Sequence, residues 1–310
     1  MPISNNIICS YLKGGVFMKL FQLKYYQAAC LYLNITRAAE AMHISQPSIT
    51  NAINELENEF NITLLNRKNR GFSLTEEGHL LLKLANDLIE HSDRLEQTML
   101  DCGKKRKLIR LGVPPMIGTY IFPRIYKGFK DRNPEIKVLT QEDGSQELLE
   151  SLNKGYLDIV ILPTNELNDN TYNIYNFSET ETIFCVSTNH KLSTRKYVGI
   201  NDIKNELLVM FQGGFYQNKV ISRLYHNAGF EMQTLHSSSQ LQTIIQFIRG
   251  GIACGFLFRE IALMSDEIVG IPLEPHITMN IGLVWKKDNH MFSDMLKLVE
   301  FVRENQEYML

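Results

Sequence analysis

Apolar residues recur at helical spacing from 19 to 33, through Leu20, Leu23, Tyr26, Ala29 (or Cys30) and Leu33. Asn34 and Ile35 interrupt that pattern, and Thr36 is placed to cap a short helix over 37–43. A turn at Ile44 follows. Ser45 caps a third helix, with Pro47 in its first turn, where a missing N–H costs little. Ile49, Ile53, Leu56 and Phe60 line the side of this helix expected to be buried. Two short helices joined by a tight turn, behind a longer one, have helix-turn-helix geometry. Two strand-like runs, 63–66 and 72–75, then flank Arg67, Lys68, Asn69, Arg70 and Gly71, which reads as a hairpin wing with a basic tip. Thr75 begins a long helix, with Glu76 and Glu77 near its positive end. Its apolar positions Leu81, Ala85, Leu88, Leu95 and Met99 alternate spacings of four and three, interrupted by Ser92, as in a coiled-coil seam for dimerisation. The alternative is a helix packed on its own domain.

The pattern changes after 107. A strand (IRLGV), a helix over 115–133, a strand (EIKVLTQE), a helix over 145–154 and a strand (LDIVILP) alternate as in an α/β domain. A second α/β block contains TIFCVST, LLVMF, a helix over 216–228, EMQTLHS, a helix over 239–250 and ACGFLF. The last strand (MNIGLVWKK) and a helix over 292–306 are expected to return to the first block. Segments near 178–184 and 270–282 then cross between two lobes and leave a cleft. The organisation read from these patterns is a leader (1–17), a winged helix-turn-helix (18–76), a linker and dimerisation helix with hinge (77–107), and a two-lobed domain (108–310). Lobe I takes in about 108–180 and 282–310, and lobe II about 181–270. The cations at 104–107 read as a solvated linker.

Composition narrows the choice of function. The 310 residues carry a formal net charge of −2, which excludes a globally basic nucleic-acid coat but not a local basic patch. Residues 18–76 hold Lys19, Lys24, Arg37, Arg67, Lys68 and Arg70 against Glu40, Glu55, Glu57, Glu59 and Glu76, so half of the positive charge lies within 67–70. No apolar run reaches the roughly 18 residues of a membrane span, and the N-terminus lacks the charge and apolar pattern of a secretory signal. The five cysteines (Cys9, Cys30, Cys102, Cys185 and Cys254) form no C-x-x-C, which fits the cytoplasm and argues against a zinc site. Lys13-Gly14-Gly15 can be encoded by a stretch containing a bacterial ribosome-binding site, which makes Met18 the expected start. The alternative is a disordered arm. No G-x-S-x-G, P-loop, H-E-x-x-H or Rossmann glycine pattern supports an enzyme, and no metal or cofactor site is expected. A ligand-binding protein whose N-terminal part only dimerises is a further alternative, but the basic wing and the Ser45-Gln46-Pro47 helix start are not needed for dimerisation.

TRAAEAMHISQPSITNAINELE (36–57) and LLNRKNRGFSLTEEG (64–78) resemble the LysR-type transcriptional regulators, and the resemblance extends over 18–310. It is looser in the second half, through Arg110-Leu111-Gly112, Asn133-Pro134, Gly155-Tyr156-Leu157-Asp158 and Gly250-Gly251-Ile252. It implies an all-α winged helix-turn-helix with a linker helix, and an α/β two-lobed effector domain like that of periplasmic binding proteins. It also implies a homodimer or homotetramer that bends promoter DNA, a small-molecule effector between the lobes, and RNA polymerase as a partner.

Gln46 is the first candidate base reader, because a primary amide can bond adenine N6 and N7 together; otherwise it stabilises the helix start. Pro47 and Ser48 sit beside it. Thr50, Asn51 and Asn54 could read bases or touch phosphate, and Thr36, Arg37 and Ser45 complete the set on the helices. Arg67, Lys68 and Arg70 are candidates for backbone or minor-groove contact, against plain surface charge. For the effector, Pro115 and Met116 start a helix after the first strand. Ser145 starts the next one, and Thr164 ends LDIVILP. Phe211, Gln212 and Gly213 follow a strand in lobe II, and Ser238 precedes a helix, as a ligand contact or as a plain cap. No Arg or Lys falls on these positions, which leaves a small monocarboxylate or a neutral ligand. A redox switch would require Cys185 and Cys254 to lie close together.

The family often has Arg or Lys where this chain has Asn51 and Asn54, and each cation lost flattens the salt dependence of DNA binding by about one unit of slope. The expected outcome is a shallow dependence of log K on log[salt], measured by fluorescence titration. A steep slope for the isolated DNA-binding module contradicts it.

Overall fold

A computed structural model describes residues 18–68, 71–103, 106–288 and 290–306. The leader at 1–17 and the wing tip with Arg70 lie outside the described residues. The chain divides into two compact units, Met1–Gly103 and Lys104–Leu310.

In the first unit, α1 (Leu20–Tyr32), α2 (Ile35–Ala41) and α3 (Gln46–Phe60) enclose a core of Leu23, Tyr26, Ala29, Ala38, Ile49, Ile53 and Leu56. α2 starts earlier than its sequence suggests. Asn34 is extended and its side chain accepts the Arg37 N–H, so Thr36 lies inside the first turn rather than at the cap. Ser45 does cap α3, accepting the Ser48 N–H at 3.3 Å. Phe60, expected inside, is 38% exposed, because Asn61 turns left-handed and ends the helix there; Ala52 completes the buried face instead.

The wing is β1 (Leu65–Lys68) against β2 (Gly71–Leu74), with Lys68 opposite Gly71. Arg67 and Lys68 therefore belong to the strand and not to the connection, which is residues 69 and 70. Glu57 ties the wing to α3 by accepting the N–H groups of Leu64 (2.7 Å) and Leu65 (3.2 Å). Thr75 accepts the Gly78 N–H at 2.9 Å and starts the 28-residue α4 (Glu76–Gly103). Gly78 permits this junction: a Cβ there would lie 2.3 Å from the Leu64 carbonyl and 2.9 Å from the Tyr26 hydroxyl. Lys24–Asp93 and Gln27–Asn86, both 2.8 Å, pin α1 along α4.

The second unit is built on one mixed sheet. β3 (Leu108–Val113), β4 (Lys137–Glu142) and β5 (Ile159–Pro163) run parallel in lobe I. β8 (Leu208–Phe211), β9 (Thr234–Ser238) and β10 (Cys254–Phe258) run parallel in lobe II. Joining them are two long antiparallel strands, β6 (Tyr172–Ser187) and β11 (Ile268–Lys286), giving the order β4-β3-β5-β11-β6-β10-β8-β9. The two-residue β7 (Val198–Gly199) pairs with β11 at Leu273 and Glu274. Lobe I carries α5 (Pro115–Tyr120), α6 (Phe122–Arg132), α7 (Ser145–Asn153) and α12 (Ser293–Glu304). Lobe II carries α8 (Ile200–Ile203), α9 (Tyr216–Asn227), α10 (Leu241–Arg249) and α11 (Arg259–Ala262). The helix expected over 115–133 is two helices, because Pro123 has no N–H with which to continue α5 and the chain restarts at Phe122.

Arg106 is not part of a solvated linker. Its guanidinium is buried and pairs with Asp158 and, at 3.3 Å, with Asp294, and its face lies 4.4 Å from the Phe292 ring centre. The same carboxylates accept the Leu108 N–H (3.0 Å) and the Arg110 N–H (2.7 Å), so the cluster fastens the start of β3 to α12 and to the start of β5. Removing one partner from a buried cluster of this kind costs about 3–5 kcal/mol, because the remaining charge stays desolvated. Asp294→Ala is expected to lower the stability of the second unit by that amount, read from its urea transition. A change under about 1 kcal/mol, typical of a surface pair, contradicts the assignment.

Candidate functional site

α3 is two-sided. Ile49, Ala52, Ile53 and Leu56 are buried, while Gln46, Pro47, Ser48 and Asn51 are exposed and Thr50 and Asn54 are half-buried. Local bonds occupy the hydroxyls: Ser45 and Ser48 are 2.7 Å apart, and Thr50 donates to the Gln46 carbonyl at 3.1 Å. Among the described residues no hydrogen bond engages the side-chain amides of Gln46 or Asn51, so both are unoccupied on the exposed face of the helix. Thr36 and Arg37 are exposed at the start of α2.

Along α4, Ala85 and Ile89 are buried in the first unit's own core, with Leu81 packed against it. Leu88, Leu95 and Met99 are exposed, and so are Leu80 and Leu84, which the expected seam omitted. Leu80, Leu84 and Leu88 face an apolar groove of ≈ 520 Å³ whose walls also include Leu23, Phe60 and Ile62. The helix thus carries two stripes, one for its own core and one facing outward. The alternating spacing of its sequence does not distinguish them.

In the second unit the lobes meet across the cleft. Gln146, in the first turn of α7, donates its N–H to the Gly214 carbonyl at 3.1 Å. Gly144 is suited to that approach, since a Cβ there would lie 2.9 Å from the Gly214 carbonyl, whereas one on Gly214 would meet only the end of the flexible Glu147 side chain. Phe258 donates its N–H to the Met116 sulfur at 3.4 Å. Glu166, just beyond β5, pairs with Lys219 (2.7 Å) and Arg223 (2.6 Å) on α9.

Two cavities lie along this junction. A small one of ≈ 20 Å³ has Pro115, Met116, Ser145, Phe211, Phe215, Gln217 and Phe258 in its walls. A larger one of ≈ 330 Å³ is lined by Ser145, Gln146, Glu150, Glu166, Gly213, Tyr216 and Lys219. They share Ser145, Pro163, Phe215 and Tyr216. Gln217 is only 4% exposed, and its amide nitrogen has no hydrogen-bond partner among the described residues.

The structure sorts the sequence candidates. Pro115, Met116, Ser145, Phe211 and Gly213 line one cavity or the other. Thr164 is buried, but its hydroxyl donates to Asn176 at 2.7 Å, which makes it a fastener between β5 and β6. Ser238 ends β9 and accepts the Gln240 N–H at 3.0 Å; this is a turn ahead of α10, whose N-cap is Gln240, so Ser238 does not cap the helix. Gln212 is exposed, and its carbonyl accepts the Phe215 N–H. Pro114 and Pro115 both lack an N–H, so the start of α5 offers few donors for an anion. Gln217, Glu166, Lys219 and Arg223 were missed. They lie on or beside α9, and only the packing of the two lobes brings them to the cleft. None of the positions singled out for the effector is a cation, but the packing brings Lys219 to the wall of the larger cavity.

Cys185 and Cys254 do not form a pair. Cys185 is opposite Gly255 in the β6–β10 ladder, so Cys254, one residue away, points to the other face of the sheet, and the two thiols lie in separate cores. Burial raises both thiols, Cys254 to about 12 and Cys185 further, so neither provides a thiolate at neutral pH.

A helix-turn-helix with a wing, joined in one chain to a two-lobed α/β domain with a cleft, defines a DNA-binding transcriptional regulator with an effector domain. The chain belongs to the LysR family: the model of the bacterial regulatory helix-turn-helix protein, lysR family, matches residues 20–79, and that of the LysR substrate binding domain matches 103–307. It is 28% identical over 280 residues to the uncharacterized HTH-type transcriptional regulator YwbI of Bacillus subtilis, covering 88% of this chain and 92% of that protein. It is 25% identical over 296 residues to the DNA-binding transcriptional dual regulator OxyR of Escherichia coli, covering 94% and 96%. Its fold is similar to that of full-length CbnR crystallised with its target DNA, with a TM-score of 0.65, 20% identity, and coverage of 93% of this chain and 99% of that one. Among the described residues no helix is long and apolar enough to cross a membrane.

Lys219 holds the Glu166 carboxyl below its ordinary range; burial opposes this and Arg223 adds to it. A carboxylate depressed in the folded state stabilises above its unfolded pKa, and that contribution is lost as the pH falls through the lowered value. The junction between the lobes is therefore expected to loosen on acidification, seen as faster hydrogen exchange at the start of α9. Glu166→Gln should exchange faster already at neutral pH and lose part of the acid response. An unchanged profile in the variant contradicts the clamp.

Proposed function

We propose that this regulator acts in the cytoplasm as a dimer of dimers on imperfect inverted repeats in promoter DNA, and that a small molecule held between lobes I and II sets its activity. The observation that carries the DNA reading is the exposed face of α3, where Gln46 and Asn51 present unengaged amides and Pro47 offers apolar contact beside them. Amides of this kind bond base edges bidentately, while Arg67, Lys68 and Arg70 on the wing hold phosphate or the minor groove. The outward stripe of Leu80, Leu84, Leu88, Leu95 and Met99 on α4 supports pairing with a second copy. Recognition helices paired in this way meet successive major grooves.

The cleft supports the effector reading. Its larger cavity falls in the size range of small-molecule sites. Gln217 is in the wall of the smaller one, and its buried amide nitrogen, without a partner among the described residues, is the candidate donor to a carbonyl or carboxylate oxygen. A small carboxylate in the larger cavity can meet Lys219 there; Glu166, now paired with Lys219, sets the competition such a ligand must win. The effector shifts the assembly only by preferring one arrangement of the lobes over the other, and a change in DNA bend is the output passed to RNA polymerase.

The test is a footprint on the DNA flanking the gene, at two salt concentrations, with and without small carboxylates. An extended footprint over an inverted repeat, reshaped by one compound, is expected. Gln46→Ala should relax discrimination at one base pair by about 1–3 kcal/mol. Gln217→Leu should keep the footprint and lose its response to the compound. No protection from folded protein at low salt overturns the DNA reading. A Gln217→Leu protein that responds like the wild type overturns the effector site.

A further inference from the structure

Three side chains at the far end of lobe II have no part in the reading above. His190 follows β6, Glu206 precedes β8, and Cys254 is the first residue of β10. Their ligand atoms all lie within 4.8 Å of one another. His190 Nε2 is 3.3 Å from Glu206 Oε2 and 3.6 Å from Cys254 Sγ. A tetrahedral zinc ion with bonds of about 2.0–2.1 Å to nitrogen, 2.0–2.2 Å to oxygen and 2.3 Å to sulfur separates its ligands by roughly 3.3–3.6 Å. The two separations from His190 already match those edges, and the Glu206–Cys254 separation lies within 4.8 Å.

We propose that Cys254, His190 and Glu206 bind a divalent metal ion, with Zn²⁺ the best chemical match, at a site separate from the effector cleft. Thiolate, imidazole and carboxylate together suit a borderline-soft ion and not magnesium or calcium. Three ligands leave one tetrahedral position for water. The backbone already holds the three residues in place: the His190 N–H donates to the Ser187 carbonyl (3.1 Å), the Glu206 N–H to the Ile203 carbonyl (3.0 Å), and the Cys254 N–H to the Leu207 carbonyl (2.8 Å). Cys254 and Glu206 are buried, so no large rearrangement has to bring them together.

The proton balance is defined. The metal displaces the Cys254 thiol proton, which leaves to solvent. Ligation through His190 Nε2 places the imidazole proton on Nδ1, and the 3.3 Å contact from the Leu192 N–H to that nitrogen is given up. Lys191 stays on the other Glu206 oxygen, at 2.7 Å, so the carboxylate binds through one oxygen only. The site braces the ends of β6, β8 and β10. Phe258, at the opposite end of β10, lines the small interlobe cavity, so one strand spans the distance between metal site and cleft.

The test uses the full chain, with Cys9 and Cys102 changed to Ser to remove thiols outside the site, titrated anaerobically with Co²⁺. One equivalent per chain is expected to give a thiolate-to-cobalt charge-transfer band and the intense visible bands of four-coordinate cobalt, and Zn²⁺ should abolish both. Cys254→Ser should lose the charge-transfer band. His190→Gln should weaken metal binding by about tenfold or more, in line with the cost of disturbing a metal's ligand shell. His190 is partly exposed, so this variant remains informative if Cys254→Ser fails to fold. Absence of the band at millimolar Co²⁺, or a band that persists in Cys254→Ser, overturns the proposal.

Discussion

Both crossings between the lobes run side by side as β6 and β11, strands of 16 and 19 residues paired antiparallel from Tyr172–Lys286 to Ser187–Ile268. A continuous ladder resists sliding, since a one-residue slip would turn every side chain to the wrong face. It yields more easily where the pairing is broken. Between Pro272 and Ile277 the register shifts, and Leu273 and Glu274 turn to β7 instead. Beside that break, Glu181 accepts from Arg259 and, at 2.5 Å, pairs with His276 Nδ1, and Thr180 donates to Glu260 at 2.5 Å. Burial raises the Glu181 carboxyl, but its bonds to Arg259 and His276 outweigh burial and hold it below the ordinary range. This break in the pairing is thus cross-linked by polar contacts as well as by apolar packing.

The polar contacts that close the cleft are individually small. Exposed ion pairs such as Glu166–Lys219 contribute about 0–1 kcal/mol each, and the Gln146–Gly214 hydrogen bond about 0.5–1.5 kcal/mol. Against them stands the buried, unpaired Gln217 amide, whose desolvation costs about 1–3 kcal/mol. On the proposed effector reading, a ligand that satisfies Gln217 in one arrangement only would favour that arrangement by an amount comparable to these polar contacts. Apolar packing also joins the lobes: Met116 and Ile117 share one buried cluster with Phe211, Phe215 and Phe258, and Tyr120 meets the Phe258 ring edge-on at 6.4 Å.

The sequence is most legible where periodicity and chemistry agree. The α3 pattern, with Ser45, Pro47 and the Ile49/Ile53 face, announces a helix, its cap and its exposed side together. The alternating α/β texture likewise indicates the lobes. The full length of the crossing strands was not legible. Residues 172–178 place Tyr172 and Ile174 against one core and Tyr175 and Phe177 against another, but the intervening asparagines mask the strand, and Pro272 and Pro275 do the same in β11. Arg106 was misread for a related reason: in a run of four cations nothing local shows that one of them is buried beside Asp158 and Asp294. Composition reports average exposure, while an ion pair 52 or 188 residues away in the chain is a tertiary fact.

The near-neutral DNA-binding module has a consequence for how specificity arises. Phosphate neutralisation supplies nearly all non-specific affinity, and here it rests on a few wing cations and no cation on α3. A single module therefore gains little from random DNA. Joining two modules makes the second contact intramolecular and multiplies affinity by about 10²–10⁴ without any new contact, but only where two half-sites stand at the right separation. On the proposed dimer, the outward leucine stripe of α4 thus contributes to selectivity as much as to assembly. On that proposal, discrimination would come from spacing and from the amides of Gln46 and Asn51, and a change in the geometry of the assembly would alter affinity directly, since little non-specific charge attraction would hold a misaligned complex in place.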